Sequence, residues 1–297
     1  MFKKIYTRSP SVSPVASPSL LRVKYQNYLP HEKSIKLFKA MKANKSEKIA
    51  LLIETGADIN SSDMFDNTLL HLVCVEDKFG IAKFLVKAGA NVNQLNFFKE
   101  TPLHMAARYN CREISELLIR HHAEVNLIDR DGHSPLHRAV LNNNKYITEM
   151  LLKANADFSI PFNYLYSYIL NDNNKTVLII AAENGNTDIM SMLFKHGADL
   201  NTKSSHENTA LHLAAYNGQL NAVKFLIDHH AEVHHKNAEN HTAFEIAQFK
   251  GFKRIAQMIK NKMDLNFVFE GEKAQESKGE EKSTCSLRMK LFGHKEA

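Results

Sequence analysis

Residues 101–110 read Thr101-Pro-Leu-His-Met-Ala-Ala-Arg-Tyr-Asn110, and the chain repeats the opening of this segment in both directions. It returns as Thr68-Leu-Leu-His71, Ser134-Pro-Leu-His137, Thr176-Val-Leu-Ile179, Thr209-Ala-Leu-His212 and Thr242-Ala-Phe-Glu245. Counted from Thr68, the intervals are 33, 33, 42, 33 and 33 residues. One period earlier, a degenerate copy keeps Leu37, Phe38 and Ala40 in register. A fixed period of this length means one small unit stacked on itself.

Each repeated feature has a physical reason. Thr or Ser is a good helix N-cap, and Pro suits the next position, where the missing amide costs nothing. Five residues on come Val73, Ala106, Ala139, Ala181, Ala214 and Ala247, mostly small, so that two helices can approach. Nine residues on come Asp77, Asn110, Asn143, Gly185, Gly218 and Gly251, types that tolerate a turn. A second helix follows with apolar residues three and four apart, such as Ile114, Leu117 and Leu118. It ends at Gly56, Gly89, His122, Asn155, Gly197 or His230, where a left-handed residue suits Gly and Asn better than His.

The pattern resembles the ankyrin repeat over residues 32–263. The resemblance implies an all-α repeat solenoid of helix-turn-helix units, each with a hairpin at its side. About seven units are expected, the first without a hairpin. One unit alone cannot bury enough surface, so neighbours must stack. The motif Pro is missing at Leu69, Val177, Ala210 and Ala243, and the motif His at Ile179 and Glu245. Those units are expected to fold with weaker local specification. The 42-residue interval places an insertion at about residues 159–170, at a hairpin.

Composition agrees with a globular protein. The chain has 297 residues, 44% of them hydrophobic and 24% charged, which excludes wholesale disorder and a collagen-like scaffold. Three cysteines and no apolar run long enough for a bilayer point to an intracellular protein, cytoplasmic or nuclear, neither secreted nor transmembrane. The net charge of +6 is uneven: residues 1–48 carry +9, leaving −3 for the rest. Residues 1–31 read as a disordered basic arm with Ser-Pro at Ser9, Ser13 and Ser17, candidate phosphorylation sites whose modification would erase much of its charge. Lys33, Lys36, Lys39, Lys42, Lys45 and Lys48 continue the basic stretch, either as the polar face of a terminal unit or as a contact for an anionic surface, phospholipid or nucleic acid. Residues 264–297 read as a flexible charged tail, whose short apolar end is either a frayed terminus or a docking peptide that would make this chain a regulatory or substrate-adaptor subunit, the stack selecting one protein and the tail another.

No enzyme constellation is present in the sequence. The glycines sit at turn positions, and no cysteine pair has zinc spacing. Catalytic residues, cofactors, metals and small-molecule substrates are therefore not expected. The motif histidines are expected to hydrogen-bond within and between units. The run His229-His-Ala-Glu-Val-His-His235 falls at a helix end rather than on one helical face, which argues against a metal site.

Function must then come from surface. The expectation is a monomeric, non-enzymatic scaffold or adaptor for other proteins. The family resemblance places partners against the hairpin tips and the exposed side of the first helix. There the sequence puts Met64, Phe65, Phe97, Phe98 and Arg130 at tips, and Arg108, Tyr109 and Tyr216 on first helices. The insertion adds Tyr164, Tyr166 and Tyr168, alternating as one face of an extended strand would. Asn60, Asn93, Asn126 and Asn201 at the hairpin entries resemble substrates of an asparaginyl hydroxylase; hydrogen bonding in the turn is the simpler role.

Overall fold

The computed structural model describes residues 32–161 and 174–264. The expectations for residues 1–31, for Tyr164, Tyr166 and Tyr168, and for residues beyond 264 lie outside them. Helices come in pairs: α1 (Glu32–Lys42) with α2 (Ser46–Glu54), α3 (Leu69–Val75) with α4 (Phe79–Lys87), and α5 (Pro102–Tyr109) with α6 (Arg112–Arg120). Next come α7 (Pro135–Leu141) with α8 (Lys145–Lys153), α9 (Val177–Glu183) with α10 (Thr187–Lys195), and α11 (Ala210–Tyr216) with α12 (Leu220–Asp228). The last pair is α13 (Ala243–Phe249) and α14 over residues 253–264. First helices pack on first helices and second on second, and α7 meets α9 across the insertion, so one core runs the length of the stack.

Both helices of a unit stop in the same way. Asp77, Asn110, Asn143, Gly185, Gly218 and Gly251 all have positive φ, and so do Gly56, Gly89, His122, Asn155, Gly197 and His230. Around each, the amide one residue on reaches back five positions, as Lys78 to the Val73 carbonyl and Ala90 to the Leu85 carbonyl, both 3.0 Å. The left-handed residue lets orphan carbonyls of the last helical turn find donors. His122 and His230 adopt this conformation at φ 64° and 63° despite their side chains.

The motif histidine ties units together. The Thr101 amide donates to His104 Nδ1 at 3.1 Å, and His104 Nε2 reaches the His133 carbonyl, also at 3.1 Å, 29 residues on. His71 with the Glu100 carbonyl and His212 with the His241 carbonyl repeat the bond. The amide points at Nδ1, so the proton sits on Nε2 and the ring is neutral. In the last pair Glu245 replaces the ring and accepts from both the amide and the hydroxyl of Thr242, at 2.7 and 2.9 Å. Ile179 has no such group, and there the Thr176 hydroxyl accepts the Ile179 amide at 3.5 Å. The sequence departures are thus local substitutions of one cap by another.

Candidate protein-interaction surface

The hairpins are made by turn chemistry rather than by long strands; a single β-bridge joins Ser62 and Thr68 across the first of them. At each tip one short polar side chain accepts backbone amides: Asp63 from Phe65 and Asn67, Asn96 from Phe98 and Glu100, Asp129 from Asp131 and His133. Asn237 does the same for Glu239 and His241. These Asx turns need a left-handed residue, supplied by Asp66, Lys99, Gly132 and Asn240. Tips are then stitched sideways, because the Phe97 amide donates to the Phe65 carbonyl and the Arg130 amide to the Phe98 carbonyl, both at 2.8 Å.

This stitching brings the tip side chains into a row. Phe65 and Phe98 stack with ring centroids 6.4 Å apart, and Phe97 meets Phe98 edge-on at 5.3 Å. The Arg130 guanidinium lies over the Phe97 ring, 4.2 Å from its centroid. The three rings are half-buried, and Met64 beside them is 52% exposed. Packing and exposure therefore hold together: the rings support one another and keep one side open.

On the first helices, Tyr109 is 48% exposed and Tyr216 half-buried, with the Lys250 ammonium 3.7 Å from its ring centroid. Arg108 is engaged differently from its neighbours, since its guanidinium pairs with Glu100, which is almost fully buried. Arg138 lies 3.6 Å from the same carboxylate and pairs with buried Asp129. Burial disfavours the Asp129 anion, but the His133 contact and the Arg138 charge outweigh it and hold the carboxyl well below the usual carboxylate range. The sequence reading missed this network. A signal existed: Glu100 and Arg108, eight residues apart, recur in register with reversed charges as Lys175 and Glu183, 2.8 Å apart. It also left out of the binding positions Val75 and Leu141, in register with Arg108, and Leu95 and Ile128, in register with each other, all exposed apolar side chains.

The other candidates make hydrogen bonds within the stack. Asn60, Asn93, Asn126 and Asn201 each accept, through Oδ1, the amide 31 residues on, at 2.8–2.9 Å. The bond crosses to the next unit rather than closing its own hairpin. His229 Nδ1 contacts the Phe225 carbonyl and His235 Nε2 the Glu207 carbonyl, so these two histidines are drawn to different partners. Asp129, Asp131 and His133 bring ligand atoms within 4.8 Å of one another, but Asp129 is the anchor of its turn and the partner of Arg138.

A model of three consecutive ankyrin repeats matches residues 73–162, 129–204, 160–237 and 203–268. The chain belongs to the ankyrin repeat family. Among curated proteins, none matches it. Ankyrin repeats are in general protein–protein interaction modules, and the family is typically non-enzymatic. The helices α1 and α2, with the start of α3, precede the matched windows and still carry the same turn, as in the Lys45 amide bond to the Ala40 carbonyl at 3.0 Å. Among the described residues no helix is long and apolar enough to cross a membrane.

Proposed function

We propose that this ankyrin protein is a non-enzymatic scaffold or adaptor that binds a protein segment along the hairpin edge of its first hairpin-bearing units. The observation that carries the reading is the row of Met64, Phe65, Phe97, Phe98 and Arg130, held rigid by the turn bonds and left partly open to solvent. Aromatic and arginine side chains presented on a rigid surface are the usual anchors of interfaces. Each ring that a partner covers completely adds up to about 1.5–3 kcal/mol. Tyr109, Leu141 and Tyr216 continue the surface along the first helices.

The test is a pull-down and titration with Phe97→Ala and Phe98→Ala combined. Partner binding is expected to disappear while the unfolding free energy falls by about 1–2 kcal/mol, since half-buried rings lose less than core rings. A loss of several kcal/mol would make the rings packing residues and displace the site. A second reading has its own observation: Lys36, Lys39 and Lys42 on α1, Lys45 in the turn and Lys48 on α2 are all exposed, as an anionic-surface contact through residues 1–48 requires. That contact would weaken steeply with salt, whereas binding anchored on the aromatic edge would weaken far less.

A further inference from the structure

The hairpin edge is not electrically uniform. Asp129 is neutralised by Arg138, and Asp131 lies 3.5 Å from the same guanidinium. Glu100 is neutralised by Arg108. Arg130 and Lys99 stand apart: neither has a carboxylate within ion-pair distance among the described residues, though Asp131 follows Arg130 in sequence. Lys99 is exposed at the left-handed corner of its turn, and Arg130 is half-buried against Phe97. A guanidinium lying on a ring has lost water from one face and keeps its in-plane donors for an acceptor. One tip away the sign reverses, since Asp66 is exposed beside Met64 and Phe65.

We infer that the segment bound at this edge carries an acidic residue close to an aromatic or branched aliphatic residue, with the carboxylate on Arg130 and Lys99 and the apolar side chain over Phe65 and Phe98. The inference rests on the hairpin-edge reading above and gives it a partner chemistry and a direction. A carboxylate takes a planar fork of two N–H groups from a guanidinium. The neutralised buried pairs beneath do not repel it, whereas Asp66 would repel a carboxylate laid the other way round.

The probe is a display library of random linear peptides, selected in parallel on the full chain and on a variant carrying Lys99→Glu and Arg130→Glu. Peptides selected on the natural chain are expected to place Asp or Glu beside an apolar residue. The charge-reversed variant should bind them about tenfold more weakly and select Lys or Arg instead. Lys99→Gln with Arg130→Gln should weaken binding without reversing the choice, which separates charge recognition from a folding defect. Apolar peptides without acid enrichment, still lost with Phe97→Ala and Phe98→Ala, would overturn the inference and leave the edge reading standing. Acidic peptides selected equally by the charge-reversed variant would overturn it as well. Peptides insensitive to Phe97 and Phe98, or none selected, would overturn both.

Discussion

His104 bonds the start of its own helix with one ring nitrogen and the neighbouring unit with the other, and both bonds need the neutral ring. Burial lowers its pKa to about 4, and burial likewise takes His71 to about 4 and His137 to about 3. An unfolded histidine takes up its proton near pH 6.5, so the stability these rings supply is fully present above that value. It is lost as the pH falls from about 6.5 towards 4, by of order 3 kcal/mol for each ring at the bottom of the window. Chemical denaturation at a series of pH values should show stability flat above pH 7 and falling steeply below 6. His104→Gln should lower the plateau and make the acid limb shallower; an unchanged limb would mean that other groups control it.

Turns between helices differ in what they tolerate, although they share a backbone. Gly218 and Gly251 occupy the same position, with φ of 72° and 80°. A Cβ on Gly218 would meet the Phe252 ring at 2.7 Å, while nothing lies within 4 Å of one on Gly251. Both alanine substitutions incur the left-handed cost of about 1–2 kcal/mol. Only Gly218→Ala must also push a ring of the next unit aside, so it should be the more damaging of the two by thermal unfolding. Equal losses would show that Phe252 yields freely. In four earlier units the residue in register with Phe252 is polar or a thiol and reaches the preceding unit: Lys78 to the Met41 carbonyl at 2.8 Å, Cys111 to that of Cys74 at 2.7 Å, Asn144 to that of Ala107 at 2.7 Å and Gln219 to that of Glu183 at 3.2 Å. The last unit has exchanged this hydrogen bond for an apolar contact.

A stack in which each unit touches only its neighbours has ends that are held from one side. Among the described residues α1 packs on its own partner α2 and on α3, whereas α5 to α8 have neighbouring units on both sides. Native-state hydrogen exchange should therefore find the amides of α1 and α2 least protected and those of α5 and α7 most protected. Uniform protection would mean that the array opens as one cooperative block. The same geometry is compatible with the long interval between α8 and α9, because α7 still meets α9.

The linear chain was enough to determine the helices, the turns and their stacking. Thr or Ser caps, small residues at the crossing and left-handed residues at the stops are local requirements, and each recurs at a fixed spacing that one strand of text displays. What the sequence could not show was which side chains meet across units. Asn93 looked like a turn residue and bonds to Glu124 instead; Arg108 looked like a free anchor and is paired with Glu100. Those outcomes depend on the sideways stitching of the hairpins, which brings residues about 30 positions apart to hydrogen-bonding distance. Residue types announce that a group wants a partner; the tertiary structure decides which one it reaches, because burial and distance set whether a charge is neutralised inside or left for another molecule.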